Sequence, residues 1–185
     1  WLMMRKRNEG MIKSFKNTIP DLPDKVKTKD FNLIENFDID KWSSSVSGSS
    51  FYFNDYAEEE EIHHLDGQTI EEAEHQIATR LYQNNARVHF NQHIEKSGRF
   101  GKRIIYGGYI ISLARAISCN GLENTFKLEA IHSGKHSAPT FAGDTIYAWS
   151  KILEKEIIHK NVGAMMIRTI ASKNNSNMNF PDKKN

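Results

Sequence analysis

The stretch Asn84-Asn85-Ala86-Arg87-Val88-His89-Phe90-Asn91 puts one titratable imidazole at the end of a polar loop. A short basic spacer separates it from Ile104-Ile105-Tyr106-Gly107-Gly108 and the apolar run from Tyr109 to Cys119. A histidine changes charge near neutral pH, so it can take a proton and return it. A glycine pair that opens a helix leaves N–H groups without intrahelical partners, and such groups stabilise negative charge growing on a carbonyl oxygen. A proton carrier and open donors converging on one carbonyl would make an acyl-thioester site.

The elements that must position these groups can be read from periodicity. Thr69-Ile70-Glu71-Glu72 has the form of a capping box, and Ile70, Ala73, Ile77 and Leu81 continue one helical face that should end near Gln83. Residues 107–120 read as a second helix, apolar almost all round except at Ser112, Arg115 and Ser118, with Gly121 where a left-handed C-terminal cap belongs. Such a helix must be wrapped. Residues 126–132, 145–153 and 164–171 have the partly alternating texture of strands, and Ala142-Gly143-Asp144 reads as a turn between two of them. Helix, buried helix and then strands predict an α+β fold in which an antiparallel sheet curls around one long helix.

Composition narrows the function classes. The 185 residues suffice for one domain with a sizeable core, and 25 basic against 23 acidic residues, with a pI near 8.6, are too balanced to indicate nucleic acid. The single cysteine, Cys119, excludes an internal disulfide framework and fits a reducing compartment, with the cytoplasm as the expected location. No apolar run is long enough to cross a bilayer, and the basic N-terminal stretch is not followed by the apolar core of a signal peptide.

At the N-terminus, residues 1–7 read either as the end of an apolar strand or as a basic tail. Residues 8–50, with Pro20-Asp21-Leu22-Pro23-Asp24 and a serine-rich run at 43–50, read as a linker. The globular unit is expected to span 51–185, with Phe51-Tyr52-Phe53 packing onto it.

Several ordered motifs together resemble the MaoC-like hot-dog hydratases: Phe53-Asn54-Asp55-Tyr56, residues 66–74, residues 81–91, Gly98-Arg99-Phe100-Gly101, Tyr106-Gly107-Gly108 and residues 141–150. The resemblance covers nearly the whole chain. It implies a hot-dog fold, with residues 1–50 as the end of a preceding unit plus linker, and 51–185 as the second unit of a double hot dog lacking its last strand. It also implies reversible addition of water to a short branched dicarboxylic enoyl-CoA. CoA is then part of the substrate, and no separate cofactor or metal is expected. The implied partner is another hot-dog unit, upstream in the same chain or in a homodimer.

In that family a loop of the form Asp-x-Asn-Pro-x-His supplies an acid–base pair, and a glycine N–H at the helix start binds the thioester oxygen. Here Asn84 falls at the Asp position, Ala86 at the Asn, Arg87 at the Pro and His89 at the His, so only the histidine matches. An amide takes no proton at neutral pH, which leaves His89 to carry the acid and base work with Asn84 orienting the water. Gly107 fits the helix-start glycine, with Gly108 beside it. Arg87 is a candidate to grip the substrate's free carboxylate, and Arg99 and Arg103 are candidates for CoA phosphates. Each has a structural alternative: tight packing for the glycines, and a solvated face for the charges.

His89 with His93 and His132 with His136 have i,i+4 spacing, but neither pair has an acidic residue to complete a metal set. Two other functions stay open. One is a non-catalytic half that completes a partner's site, favoured by the missing Asp; the other is an acyl-CoA thioesterase.

Overall fold

The computed structural model describes residues 25–32, 37–176 and 179–181. The readings of residues 1–7 and of the Pro20–Asp24 joint lie outside them. Four short-to-medium helices and four strands are described: α1 (Ser44–Ser47), β1 (Glu61–His63), β2 (Gln68–Thr69), α2 (Glu72–Leu81), α3 (Gln92–Glu95), α4 (Gly107–Ile117), β3 (Thr145–His159) and β4 (Val162–Lys173).

The sheet is antiparallel and is organised on β3. One edge of β3 takes β2 near its start, with Thr69 opposite Thr145, and β1 further along, with His63 opposite Trp149. Its other edge pairs with β4 from Ile146↔Lys173 to His159↔Val162. The hairpin reverses at Lys160-Asn161, where Asn161 takes φ +63°, a conformation that asparagine tolerates better than most side chains. Ile146, Ala148, Ser150 and Ile152 alternate along β3 and are all buried, as the period of two requires for a covered face. Leu113 of α4 joins Ile70, Ile105 and Ile146 in the core, with Tyr109, Ile110, Ile117 and Ala142 packed around them. Trp149, on the opposite face, is covered by the His63 ring stacked 3.9 Å away.

Several expectations are corrected. Thr69 does not cap a helix: it lies in β2, and its Oγ1 is 2.8 Å from Thr145 Oγ1. Helix α2 begins three residues later, after Glu71, with no side-chain cap. The apolar set from Ile70 to Leu81 therefore began on a residue outside the helix, and its phase was wrong. Ile77 and Leu81 are 49 % and 74 % exposed, and His75, Ala78 and Thr79 face inward. Helix α4 ends at Ile117, before the expected Asn120, and the turns that follow bring Gly121 to φ +96°.

Residues 126–132 form no strand. Leu128 and Ile131 are exposed, and no described strand lies beside this segment to complete a ladder. Ala142-Gly143-Asp144 does turn, with Gly143 at φ +88°, but only β3 flanks it. β3 and β4 both run beyond the predicted 145–153 and 164–171, because a tight hairpin lets each protect the other past the core.

Residues 37–50 pack on the sheet-bearing unit. Phe37 stacks on Phe126 at 4.5 Å, and the Trp42 indole N–H donates to Asn124 Oδ1 at 2.8 Å. Of the cluster at 51–53, Phe53 fills the space a β-carbon would need at Gly163, while Phe51 stays 60 % exposed.

Candidate functional site

His89 closes a 3-10 turn (Arg87–His89) that is clamped from two sides. The Ile104 N–H donates to the Val88 carbonyl at 3.2 Å, and His89 Nδ1 lies 3.0 Å from the Ile104 carbonyl. A carbonyl can only accept, so in the neutral ring Nδ1 carries the proton and Nε2 keeps its lone pair. Below the turn, the Gln76 amide of α2 donates to the His89 main-chain carbonyl at 2.7 Å. The ring is half-buried and meets the Tyr106 ring edge-on at 5.8 Å. The result is an imidazole fixed in orientation, with Nε2 as its free acceptor.

Tyr106 is the residue before α4, so the next two residues begin the helix. The Gly107 and Gly108 N–H groups have no protein acceptor among the described residues. Both glycines are demanded by close approach. A β-carbon at Gly108 would lie 2.5 Å from the folded-back Tyr106 ring, and one at Gly107 would lie 2.6 Å from His136 Nε2. Ile105 N–H, bonded to the Thr140 carbonyl at 2.8 Å, ties this helix start to the residues before β3. His89, Tyr106 and the two open N–H groups thus share one corner of the fold.

The other sequence candidates divide. Asn84 turns its side chain to its own loop, with Oδ1 accepting from the Ala86 N–H at 2.9 Å. Arg87 is largely exposed and its Nε lies 3.6 Å from Glu95 of α3. Arg103 is drawn inward: it pairs with Glu72 and donates to the Phe90 carbonyl at 3.3 Å, so it braces the site loop against α2. Arg99 lies over the exposed Phe100 ring at 5.1 Å, and Lys102 lies over Phe141 at 4.3 Å. These remain outward-facing cations beside the site.

Periodicity missed three contributors. Gln76 was assigned no part, although its neighbours His75, Ala78 and Thr79 mark the inward face that carries it. His75 is 1 % exposed and lies 3.1 Å from the Gln76 amide; burial lowers its pKa, against the opposing pull of Glu72. His136 was weighed only as half of a metal pair. Tyr109 joins the two helices by donating to Glu74 at 2.9 Å, and burial with that carboxylate holds its phenol up to about 12, so it stays a donor. Among the described residues, no group of three or more His, Cys, Asp or Glu is placed to hold a metal ion. No helix among them is long and apolar enough to cross a membrane.

No family model matches the chain. It is 50 % identical over 183 residues to a protein of Chloroflexus aurantiacus named Beta-methylmalyl-CoA dehydratase, covering 98 % of this chain and 52 % of that protein. It is 42 % identical over 174 residues to a Mesaconyl-CoA hydratase of Cereibacter sphaeroides, covering 94 % and 50 %. The chain therefore spans about half the length of the curated relatives it matches.

Among solved structures, a MaoC domain protein dehydratase from C. aurantiacus superposes with a TM-score of 0.80 at 50 % identity, over 92 % of this chain and 49 % of that one. A Mycobacterium tuberculosis protein with a double hotdog fold gives a TM-score of 0.56 at 24 % identity, over 77 % and 41 %, which bears on fold alone. An antiparallel sheet laid on a glycine-started helix, together with the match to that dehydratase structure, gives the chain the hot-dog fold and makes it similar to half of a MaoC domain dehydratase.

Proposed function

We propose that this chain is the proton-transferring unit of a hydro-lyase that reversibly adds water to a short branched dicarboxylic enoyl-CoA, converting mesaconyl-CoA to β-methylmalyl-CoA. The observation that carries the reading is the pairing of His89 Nδ1 with the Ile104 carbonyl beside the open Gly107 and Gly108 N–H groups. The relatives' names supply the substrate class.

The residues suit the steps. His89 Nε2 takes a proton from water as the water oxygen bonds to the β-carbon. The alkene electron pair moves through the α-carbon to the thioester oxygen, where the Gly107 and Gly108 N–H groups stabilise the enolate. His89 then returns the proton from Nε2 to the α-carbon, and the Ile104 carbonyl supports the imidazolium in between. Atoms and charge balance with water alone, so no cofactor is required. Asn84 orients the water once its loop opens toward substrate, and Arg99 meets a CoA phosphate. We place the unit beside a second hot-dog unit, in the cytoplasm.

One observation favours a second reading. The residue at the family's Asp position is an amide spent on its own loop, which suits a non-catalytic half that completes a partner unit's site. Incubating the protein with mesaconyl-CoA, while following the conjugated enoyl absorbance and free thiol, separates the cases. Loss of absorbance without thiol supports hydration, thiol release indicates a thioesterase, and neither signal indicates the non-catalytic half.

A further inference from the structure

We propose that His136 reads the distal carboxylate of the acyl group and so sets the preference for dicarboxylic over simple acyl-CoA; this rests on the thioester being held at Gly107. The three atoms nearest to a β-carbon built on Gly107 all belong to the His136 ring, with Nε2 at 2.6 Å. The absence of a side chain at Gly107 is what lets that imidazole lie against the start of α4. No hydrogen bond or ion pair within the described protein engages its nitrogens. The ring is exposed to the groove that runs between α4, residues 125–138 and β4, where Ile110, Ala114 and Ile146 give aliphatic walls.

Acyl geometry makes this position informative. In a four-carbon dicarboxylic acyl group three C–C bonds of about 1.5 Å separate the thioester carbon from the carboxylate carbon. A group that reads the carboxylate must therefore sit next to whatever holds the thioester oxygen. His136 does, whereas Arg87 is turned toward Glu95. Of the other cations along the groove, Lys25 pairs with Glu154, Lys127 with Glu129, and Lys173 with Asp144 and the Pro139 carbonyl, while Lys27 and Lys135 are not among the atoms nearest to Gly107. An imidazole offers a carboxylate an N–H donor in the neutral ring and a charged one when protonated. Between aliphatic walls, a carboxylate without such a donor is strongly disfavoured.

The test compares two unreactive ligands of equal chain length, succinyl-CoA and butyryl-CoA, by titration calorimetry on the protein and on its His136→Phe and His136→Gln variants. Circular dichroism melts confirm that each variant is folded, as expected for an exposed side chain. The wild type is expected to bind succinyl-CoA more tightly. His136→Phe should weaken succinyl-CoA about 10- to 100-fold, the loss of one charge-assisted contact, and leave butyryl-CoA within about threefold. His136→Gln, which keeps an N–H donor, should fall between. Equal wild-type affinities, or a succinyl preference that survives His136→Phe, overturn the assignment and leave the hydration reading intact. Failure to bind either thioester overturns both.

Discussion

The side-chain amide of Gln76 donates to the main-chain carbonyl of His89 across 2.7 Å, and the same nitrogen lies 3.1 Å from His75 Nε2. One residue on the inward face of α2 thus holds the loop that presents the imidazole. Gln76→Leu removes both bonds while keeping most of the volume. It should lower kcat for mesaconyl-CoA about tenfold, because a displaced base loses geometry before it loses binding. KM should change little, and stability should fall by about 1 kcal/mol. Steady-state kinetics with a thermal melt check this; an unchanged kcat with a lowered melt would make Gln76 merely structural.

His89→Ala tests the proton carrier itself. Hydration should drop by about 10² to 10⁴ fold, the usual worth of a positioned acid–base group. Acyl-CoA affinity, measured by calorimetry, should stay close to wild type, since the N–H groups of Gly107 and Gly108 are untouched. Turnover near the wild-type level would move the chemistry to another unit.

Arg87→Leu should have little effect. Its Nε pairs with Glu95 at 3.6 Å at a largely exposed position, where an ion pair is worth about 0.2 to 1 kcal/mol. The ratio of mesaconyl-CoA to crotonyl-CoA turnover should stay within about threefold. A selective loss of mesaconyl-CoA turnover would show instead that Arg87 leaves Glu95 for the substrate.

Acid should weaken the fold through a second histidine, His64, which is 1 % exposed. Its Nδ1–H donates to the Asn120 carbonyl at 2.5 Å, and Nε2 accepts from the Ser150 hydroxyl at 2.7 Å, which lies 3.0 Å from Thr169 Oγ1. Burial lowers its pKa below the ordinary 6.5, and the bond to the Asn120 carbonyl only partly opposes that. The unfolded chain then binds the proton first, so stability is full above about pH 6.5 and is lost as pH falls from there through the depressed folded value. His75, shifted the same way, adds to the slope. Melting temperature should be flat from pH 7 to 8 and decline below 6.5, and His64→Gln should flatten part of that decline while costing about 1 to 3 kcal/mol at pH 7.5. A melting temperature independent of pH down to 5 would show that protonation of His64 is not coupled to folding.

What could be read from the chain depended on whether a residue's role was local. The glycine pair and the apolar run after it announce α4 because helix start and helix interior are written in consecutive residues. The polar loop marks the turn that carries His89 for the same reason. Ile70 misled because it is buried by β3 and not by α2, so a long-range contact imitated a helical face. The segment at 126–132 misled in the opposite way: its alternation is strand-like, but a strand exists only when another lies beside it. His136 and Gln76 were invisible as neighbours of the candidate site because one is defined by contact with Gly107, and the other by contact with a carbonyl thirteen positions on.

The arrangement of the sheet sets an order of assembly. β3 and β4 are joined by the two-residue turn at Lys160-Asn161, so their ladder is built almost entirely from local contacts and can close quickly. β1 and β2 reach β3 only across the long stretch that contains α2, His89 and α4. Every element that frames the imidazole docks, directly or through α4, on a strand that leaves the ribosome after it. On a nascent chain His89 and Gly107 are therefore made early and positioned late. Substitutions that slow closure of the β3–β4 hairpin should lengthen the time the site loop spends unprotected, even where they leave the finished site unchanged.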